Sequence, residues 1–594
     1  MRLSGEKMQE ERKVNIIGAG LAGLSAALTL AKAGARCRLI SLAPSERAQS
    51  VLAEGGTNAV LNTMGDDDTI EDHVADTLKG GCDIADQAAV RDLCERAPEV
   101  IRELEALGVP FNRNPDGSIA QRYFGGQKKR RTAFVGAFTG KMLMTALIDA
   151  VRRYEAEGLV ERYAHHAFAE LLLLPPHPSH SGTPSPQGEG NHVCAGVRVC
   201  DTFTQEVSDF EGPVILCSGG INGFFPGHTT GTVYNSGDVT ATVFSQGVAL
   251  SNLEMIQFHP TTIAVPGKRV LISEAARGEG GRLFVMQNSS QERYYFMEER
   301  YPELGNLMPR DVVTRESVKV MGDAAYGDQV YLDMTGIPEE IWTDRLSELR
   351  EEILHYLEIE PKKEPVPVAP GIHYFMGGIL TDKDHRTNIE GLFAAGECCS
   401  TYHGANRLGG NSTMGAMVGG RVAADSALRF IDRLSRCEIY PPRSDYAGHS
   451  AEPVVSAPWR TSRSADTSAH RTRREDGSEC VKEYAAYMYT AGSFEVQLGN
   501  VLYAGMGVVR DAEGMQEALD AIKELEEETE GITEHQRRRL RLAKAMLMSA
   551  LARKESRGAH TRSDFPDRSD HPYVTRVAYD VVNGLQCQIL DVDA

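Results

Sequence analysis

The segment GAGLAG at 18–23 is the first place where residue types and spacing point to a chemistry. It follows the apolar run VNII and leads into LSAALTLAKAG, whose apolar positions recur with helical spacing, and then into a second apolar run, CRLIS, at 37–41. Strand, glycine turn, helix and strand make a βαβ unit. Glycines allow the tight turn and the close approach of a pyrophosphate, while the new helix offers unpaired N–H groups and the positive end of its dipole to that anion. The expected ligand is a dinucleotide. An acidic residue commonly ends the second strand and takes the ribose hydroxyls. Ser41 stands there instead, with one hydroxyl proton to donate.

Other residues invite chemistry but have structural readings of their own. His259 reads equally as a satisfied core histidine, Arg310 as a surface charge beside a helix start, and Asp238 as the cap of the helix that follows SGD. Cys398 and Cys399 are adjacent, yet none of the eleven cysteines has CxxC spacing, so reduced thiols are expected rather than disulfides or cluster ligands. The run at 537–541 is basic, but on an amphipathic helix it reads as a solvated face. QKKRR at 127–131 either serves an anionic site or faces solvent.

The elements that must position these residues fill 594 residues, too many for one hydrophobic core, so several domains are expected. Composition is ordinary for a globular protein, at 41% apolar and 25% charged. No run of about 18 apolar residues occurs and the first residues are too charged for a signal peptide, so a cytoplasmic location is expected. A net charge of −20 argues against nonspecific nucleic-acid binding. VILCSGG at 214–220 reads as a buried strand entering a glycine turn, which returns the chain to the nucleotide-binding sheet. The stretches at 175–191 and about 441–478 are polar and read as exposed connections, the second preceding helix-forming sequence.

A series of motifs spread over nearly the whole chain resembles the flavoprotein subunit of the fumarate reductase and succinate dehydrogenase family, whose relatives include L-aspartate oxidase. They are GAGLAG at 18, AEGGTNAV at 53, YFGGQKKRRTAF at 123, QFHPT at 257, SEAARGEGG at 273, PRDVVTR at 309, HYFMGG at 373, HGANRLGGNS at 403 and ESRGAHTRSDFP at 555. The resemblance implies an α/β, Rossmann-like FAD-binding domain that is discontinuous in sequence, an inserted α+β capping domain and a C-terminal helical domain. The divisions expected are 1–252 and 371–440 for the FAD-binding domain, 253–370 for the cap, 455–556 for the helical domain and 557–594 for a C-terminal extension.

The same resemblance places FAD contacts at Gly18, Ala19, Gly20, Ala22 and Gly23 for the pyrophosphate, Ser41 near the ribose, Gln49, Ser50, Ala53, Glu54, Gly55 and Gly56 along the ring, and Asp238, Glu397, Ser412 and Thr413. Quinone-linked members attach FAD through a histidine five residues before the motif glutamate. Gln49 occupies that position and its amide is no nucleophile, so FAD is expected to be noncovalent, with a lowered potential that favours fumarate reduction. His259, Ser273, His373 and Arg407 are implied as donors to a dicarboxylate, with Ser273 keeping the donor of the usual threonine. Arg310 is implied as proton donor, refilled through Glu274 and Arg277, with His259 beside them. No metal is expected. An iron–sulfur subunit, itself docked on a membrane anchor, is the implied electron partner, with peripheral association at the inner face of the membrane. L-aspartate oxidase is the first alternative, but it usually carries a glutamate where Phe124 stands. Reductase activity on another unsaturated acid and a purely electron-transferring subunit are the others.

Overall fold

The strand Val14–Ile17, buried at every residue, lies at the middle of a five-stranded parallel sheet in the order Leu392–Ala394, Val214–Leu216, Val14–Ile17, Cys37–Ser41, Val160–Ala164. Short, wholly apolar runs form such strands because a parallel sheet is covered on both faces. The structure, a computed structural model, describes residues 13–174, 192–232, 234–344, 346–436, 493–529, 531–580 and 583–592. The polar stretches at 175–191 and 441–478 lie outside the described residues.

Four helices cover one face, Leu21–Lys32, Gln87–Ala106, Thr139–Ala156 and Asn411–Arg436, and share one apolar core with it. A second core on the other face takes in the helices Asp238–Ser245, Phe494–Gly505, Ala512–Glu528 and Glu534–Ala552. The last three of these are the expected helical region. The C-terminal segment contributes the hairpin Tyr573–Asp580 and Gly584–Asp591, which extends a small sheet through Leu250–Ser251.

The cap is a six-stranded antiparallel sheet with its own apolar core. Two of its strands reach the nucleotide-binding region: Ile256–Val265, carrying His259, and Val366–Phe375, carrying His373 and running through the division drawn at 370. Their register shifts between His259 and Thr262, an irregularity that re-aims side chains at a sheet's end.

Two expectations are corrected here. Arg539, in the basic run, is fully buried rather than solvated. Cys200 is disulfide-bonded, whereas Cys37, Cys82, Cys94, Cys194, Cys217, Cys398, Cys399 and Cys587 are thiols. Burial pushes the Cys398 thiol up to about 12, which suits a small core residue rather than a redox group.

Close backbone packing fixes the helices on the sheet. A Cβ on Gly420 would overlap the carbonyl oxygen of Ala22, where the long helix Asn411–Arg436 crosses the helix that starts at the glycine turn. Gly420→Ala should therefore destabilise the fold by about 1–3 kcal/mol despite its better helix propensity. A thermal unfolding midpoint equal to or above that of the wild type would contradict this packing.

Candidate active site

A Cβ on Gly18, whose φ is +114°, would overlap the carbonyl of Cys217, the residue just after the adjacent strand, and a Cβ on Gly23 would overlap the carbonyl of Gly18 itself. Turn, strand and helix therefore meet at backbone distance, as the βαβ reading requires. Gly20, the residue before the helix, has only Ser50 Oγ and the Ala48 side chain nearby, and makes no side-chain cap. The helix N-terminus consequently opens into a cleft. That arrangement fits a pyrophosphate, with backbone N–H groups and the helix dipole toward it.

The cleft continues from this turn to the junction of cap and sheet. It is lined by Gly18, Ala19, Gly20, Ala22, Ser41, Gln49, Ser50, Ala53, Glu54, Gly55 and Gly56 on the N-terminal segment, and by Asp238, Glu397, Ser412 and Thr413 from distant segments. His259, Ser273, Glu274, Arg310, His373 and Arg407 line its far end. Among the expected residues, Gly23 and Arg277 stand one layer behind: Gly23 packs under Gly18, and Arg277 ion-pairs Glu274.

Local geometry refines several roles. The Ser41 hydroxyl already donates to the Ala43 carbonyl at 2.8 Å, so its lone pairs rather than its proton remain for a sugar. Gln49 Oε1 accepts from the backbone N–H of Thr232 at 2.6 Å, tying the ring segment to the 229–236 loop. Glu397 accepts from the backbone N–H of Phe375 at 3.1 Å, and burial raises its carboxyl to about 7. Burial, then repulsion from Glu352, lifts Glu54 to about 8, against a lowering hydrogen bond from Ser273, so at neutral pH it is largely a neutral donor.

At the far end Glu274 sits between two guanidinium groups. Arg310 donates to its Oε2 from Nη2 at 2.9 Å and from Nε at 3.2 Å, and Arg277 donates to Oε1 at 3.1 Å. Burial raises the Glu274 carboxyl, but the charges of Arg310 and Arg277 outweigh it and bring it down to about 2. Burial, then the charge of Arg310, lowers Arg407 to about 10. Its guanidinium lies over the Tyr374 ring, 4.4 Å from the centroid. Burial and the arginine charges push His259 and His373 well below the ordinary histidine range, so both rings are neutral at physiological pH. They face each other edge to face at 5.5 Å. Thr230 Oγ1 lies 2.9 Å from His373 Nδ1; with that nitrogen as acceptor, the other ring nitrogen is a donor. His259 Nε2 and Arg407 Nε are buried and have no hydrogen-bond partner among the described residues. An unpaired guanidinium donor and an unpaired imidazole nitrogen beside arginines that line a cleft fit an anion with more than one carboxylate.

Gln257, Tyr374 and Thr230 were not singled out from the sequence. Gln257 Oε1 receives Arg407 Nη2 at 2.9 Å and Arg310 Nη1 at 3.4 Å. Its spacing of two from His259 along a strand was the available signal. The segment 127–131 turns out not to line the cleft: Arg131 is buried against Asp68 and Asp76, and Lys129 and Arg130 hold Asp66. Phe124 does line it, with the Arg310 guanidinium 5.9 Å from its ring centroid.

Residues 13–413 match the FAD binding domain family, and residues 495–589 match the family described as fumarate reductase flavoprotein C-term. The chain is 34% identical over 588 residues to the succinate dehydrogenase flavoprotein subunit of Bacillus subtilis, covering 95% of this chain and 93% of that one. It is 31% identical over 580 residues to the L-aspartate oxidase of Streptomyces coelicolor, covering 94% and 89%. Among solved structures it superposes on a chain of Escherichia coli quinol fumarate reductase with a TM-score of 0.79 at 28% identity, covering 98% and 97%. The dinucleotide cleft, the arginine-rich end and these likenesses together identify the chain as an FAD-binding oxidoreductase belonging to the family of succinate dehydrogenase and fumarate reductase flavoprotein subunits, with L-aspartate oxidase among its relatives.

Proposed function

We propose that this chain interconverts fumarate and succinate at the CH–CH bond, with a bias to fumarate reduction. The observation that carries the reading is the convergence of Arg310, Arg407 and two neutral histidines on one end of the cofactor cleft. Arg407 with His373 holds one carboxylate and His259 with Ser273 the other, since each offers a donor to an anion stripped of water. Bound FAD supplies the hydride carrier, and an unlinked ring, expected because the Gln49 amide is no nucleophile, has the lower potential that favours reduction of the alkene.

Arg310 is the proton donor. An arginine gives up a proton only to a strongly basic centre, so its return must be immediate. Glu274 is bonded to both Arg310 and Arg277, on separate oxygens, and so bridges donor and reservoir. Once Arg310 has lost its proton, one of the two charges holding the Glu274 carboxyl down disappears, its proton affinity rises, and transfer from Arg277 toward Arg310 becomes easier. The remaining arginine charge stabilises the negative charge that builds on the substrate carboxylate.

The alternative substrate is L-aspartate. Its ammonium group needs an acceptor, and Phe124 presents an apolar ring at the place where a carboxylate would serve. Electrons enter or leave through a partner, for which an iron–sulfur protein, peripheral to a membrane anchor, is the proposed class. No group of metal ligands is found among the described residues, and no described helix is long and apolar enough to cross a membrane.

Anaerobic assays with dyes should give faster fumarate reduction than succinate oxidation; peroxide from L-aspartate in air, with no fumarate-dependent reoxidation, would replace this substrate assignment. Arg310→Lys should abolish turnover while FAD stays bound, and substantial residual activity would remove Arg310 from the proton step. Flavin fluorescence should leave the denatured chain on a gel; retention there would show a covalent link. Glu274 has a depressed carboxyl, so its stabilisation is present above about pH 4.5 and is lost as pH falls toward about 2. The stability gap between wild type and Glu274→Gln should therefore narrow over that window, and a constant gap would argue against the ion-paired state.

A further inference from the structure

The basic run at 537–541 belongs to no part of the substrate site, yet three of its arginines grip one short helix. Arg541 Nη1 donates to Ser245 Oγ at 2.8 Å, and Arg538 Nη1 lies 3.4 Å from both Thr242 Oγ1 and the Ala169 carbonyl. Arg539 reaches the other end of that helix, Asp238–Ser245, where the chain opens onto the cofactor cleft. Its Nη1 donates to Asp238 Oδ1 at 2.7 Å and to the Ser236 carbonyl at 3.1 Å, and its Nη2 donates to the Gly223 carbonyl at 2.7 Å. The guanidinium lies over the Phe224 ring, 4.2 Å from the centroid. His535 Nε2 adds a second contact to Asp238 Oδ1 at 3.0 Å. Between Ser236 and Asp238 the chain passes through Gly237 at φ +82°, where a Cβ would stand 2.7 Å from the Phe224 ring. The turn is thus held between Phe224 and Arg539.

A buried arginine that spends its Nη donors on two carbonyls and a carboxylate, with its Nε unpartnered among the described residues, is a costly element unless the geometry it enforces is used. Ser236 and Asp238 line the cleft, and a carboxylate there accepts from sugar hydroxyls of a dinucleotide. We infer that Arg539 is a positioning residue for the cofactor: the C-terminal helix Glu534–Ala552 aims Asp238 at the FAD sugar, so that cofactor binding and docking of that helix stabilise each other. The coupling is reciprocal, as any linkage between two equilibria must be. The inference rests on the unlinked FAD and the Asp238 contact of the proposed function.

The test follows FAD release from the purified holoprotein by the rise of flavin fluorescence on dilution. Asp238→Asn and Arg539→Met should each speed release about tenfold or more, the scale of losing a charge-assisted hydrogen bond. The double variant should add little to either. Arg539→Lys should fall between Arg539→Met and wild type, and Arg537→Met, which removes the same charge from an exposed position, should match wild type. Release from Arg539→Met within twofold of wild type overturns the inference while a fast Asp238→Asn leaves the Asp238 contact standing; a slow Asp238→Asn removes that contact itself. Fluorescence remaining on the denatured wild-type chain refutes unlinked binding and overturns the coupling with it. Hydrogen exchange on the wild type keeps the idea falsifiable if a variant fails to fold. Amides of the helix Glu534–Ala552 should exchange more slowly in the holoprotein than after FAD removal, and equal exchange counts against the coupling.

Discussion

Glu274 is a buried carboxylate placed between two guanidinium groups, and the far end of the cleft depends on that one charge balance. Like charges at this distance repel strongly once water is excluded, and a buried unpaired cation is among the costlier things a fold can contain. Glu274 offsets part of that cost for Arg310 and Arg277. Burial, and after it the excess positive charge that remains with Arg407 close by, keeps His259 and His373 neutral. The neutral state of both rings and the depressed Glu274 carboxyl therefore depend on the same cluster of buried arginine charges.

Holding that balance requires residues from both strands of the cap that meet the nucleotide-binding region. Ile256–Val265 and Val366–Phe375 pair side by side, and the register shift near His259 brings its ring against that of His373. Gln257 then carries the balance across to Arg407, because its oxygen receives both Arg407 and Arg310 while its nitrogen is held by Asn406 Oδ1 and the Arg407 carbonyl. An amide pinned at its nitrogen has no freedom to flip. The two guanidinium groups are consequently placed relative to each other through a single side chain.

Local pattern made the βαβ unit and the parallel strand Val214–Leu216 readable, since period, glycine placement and apolar runs are short-range signals. Motif resemblance pointed to His259, Ser273, Glu274, Arg310, His373 and Arg407, and all of them line one cleft. What could not be read depended on contacts far apart in the chain. Nothing near Arg539 announces Asp238, 301 residues away, or the carbonyl of Gly223. For Arg131 pattern leaves an anionic site and a solvated face open, and only the positions of Asp68 and Asp76 make it a buried ion pair instead. The Ser41 hydroxyl was counted as free because a bond to a carbonyl two residues on leaves no trace in pattern.

The strand order of the parallel sheet also has a meaning in time. Its edge strand Leu392–Ala394, which leads directly into Glu397, follows the whole cap in the chain and pairs with Val214–Leu216. A ribosome making this protein delivers the glycine turn before the cap and the opposite wall of the same cleft only after the cap has emerged. Domains tend to fold as units during synthesis, and long-range parallel pairing is slow because loop closure must come first. The cap, with its separate apolar core, is equipped to fold while the cradle is still half built, so the cofactor meets a complete binding site only after the cap has been made.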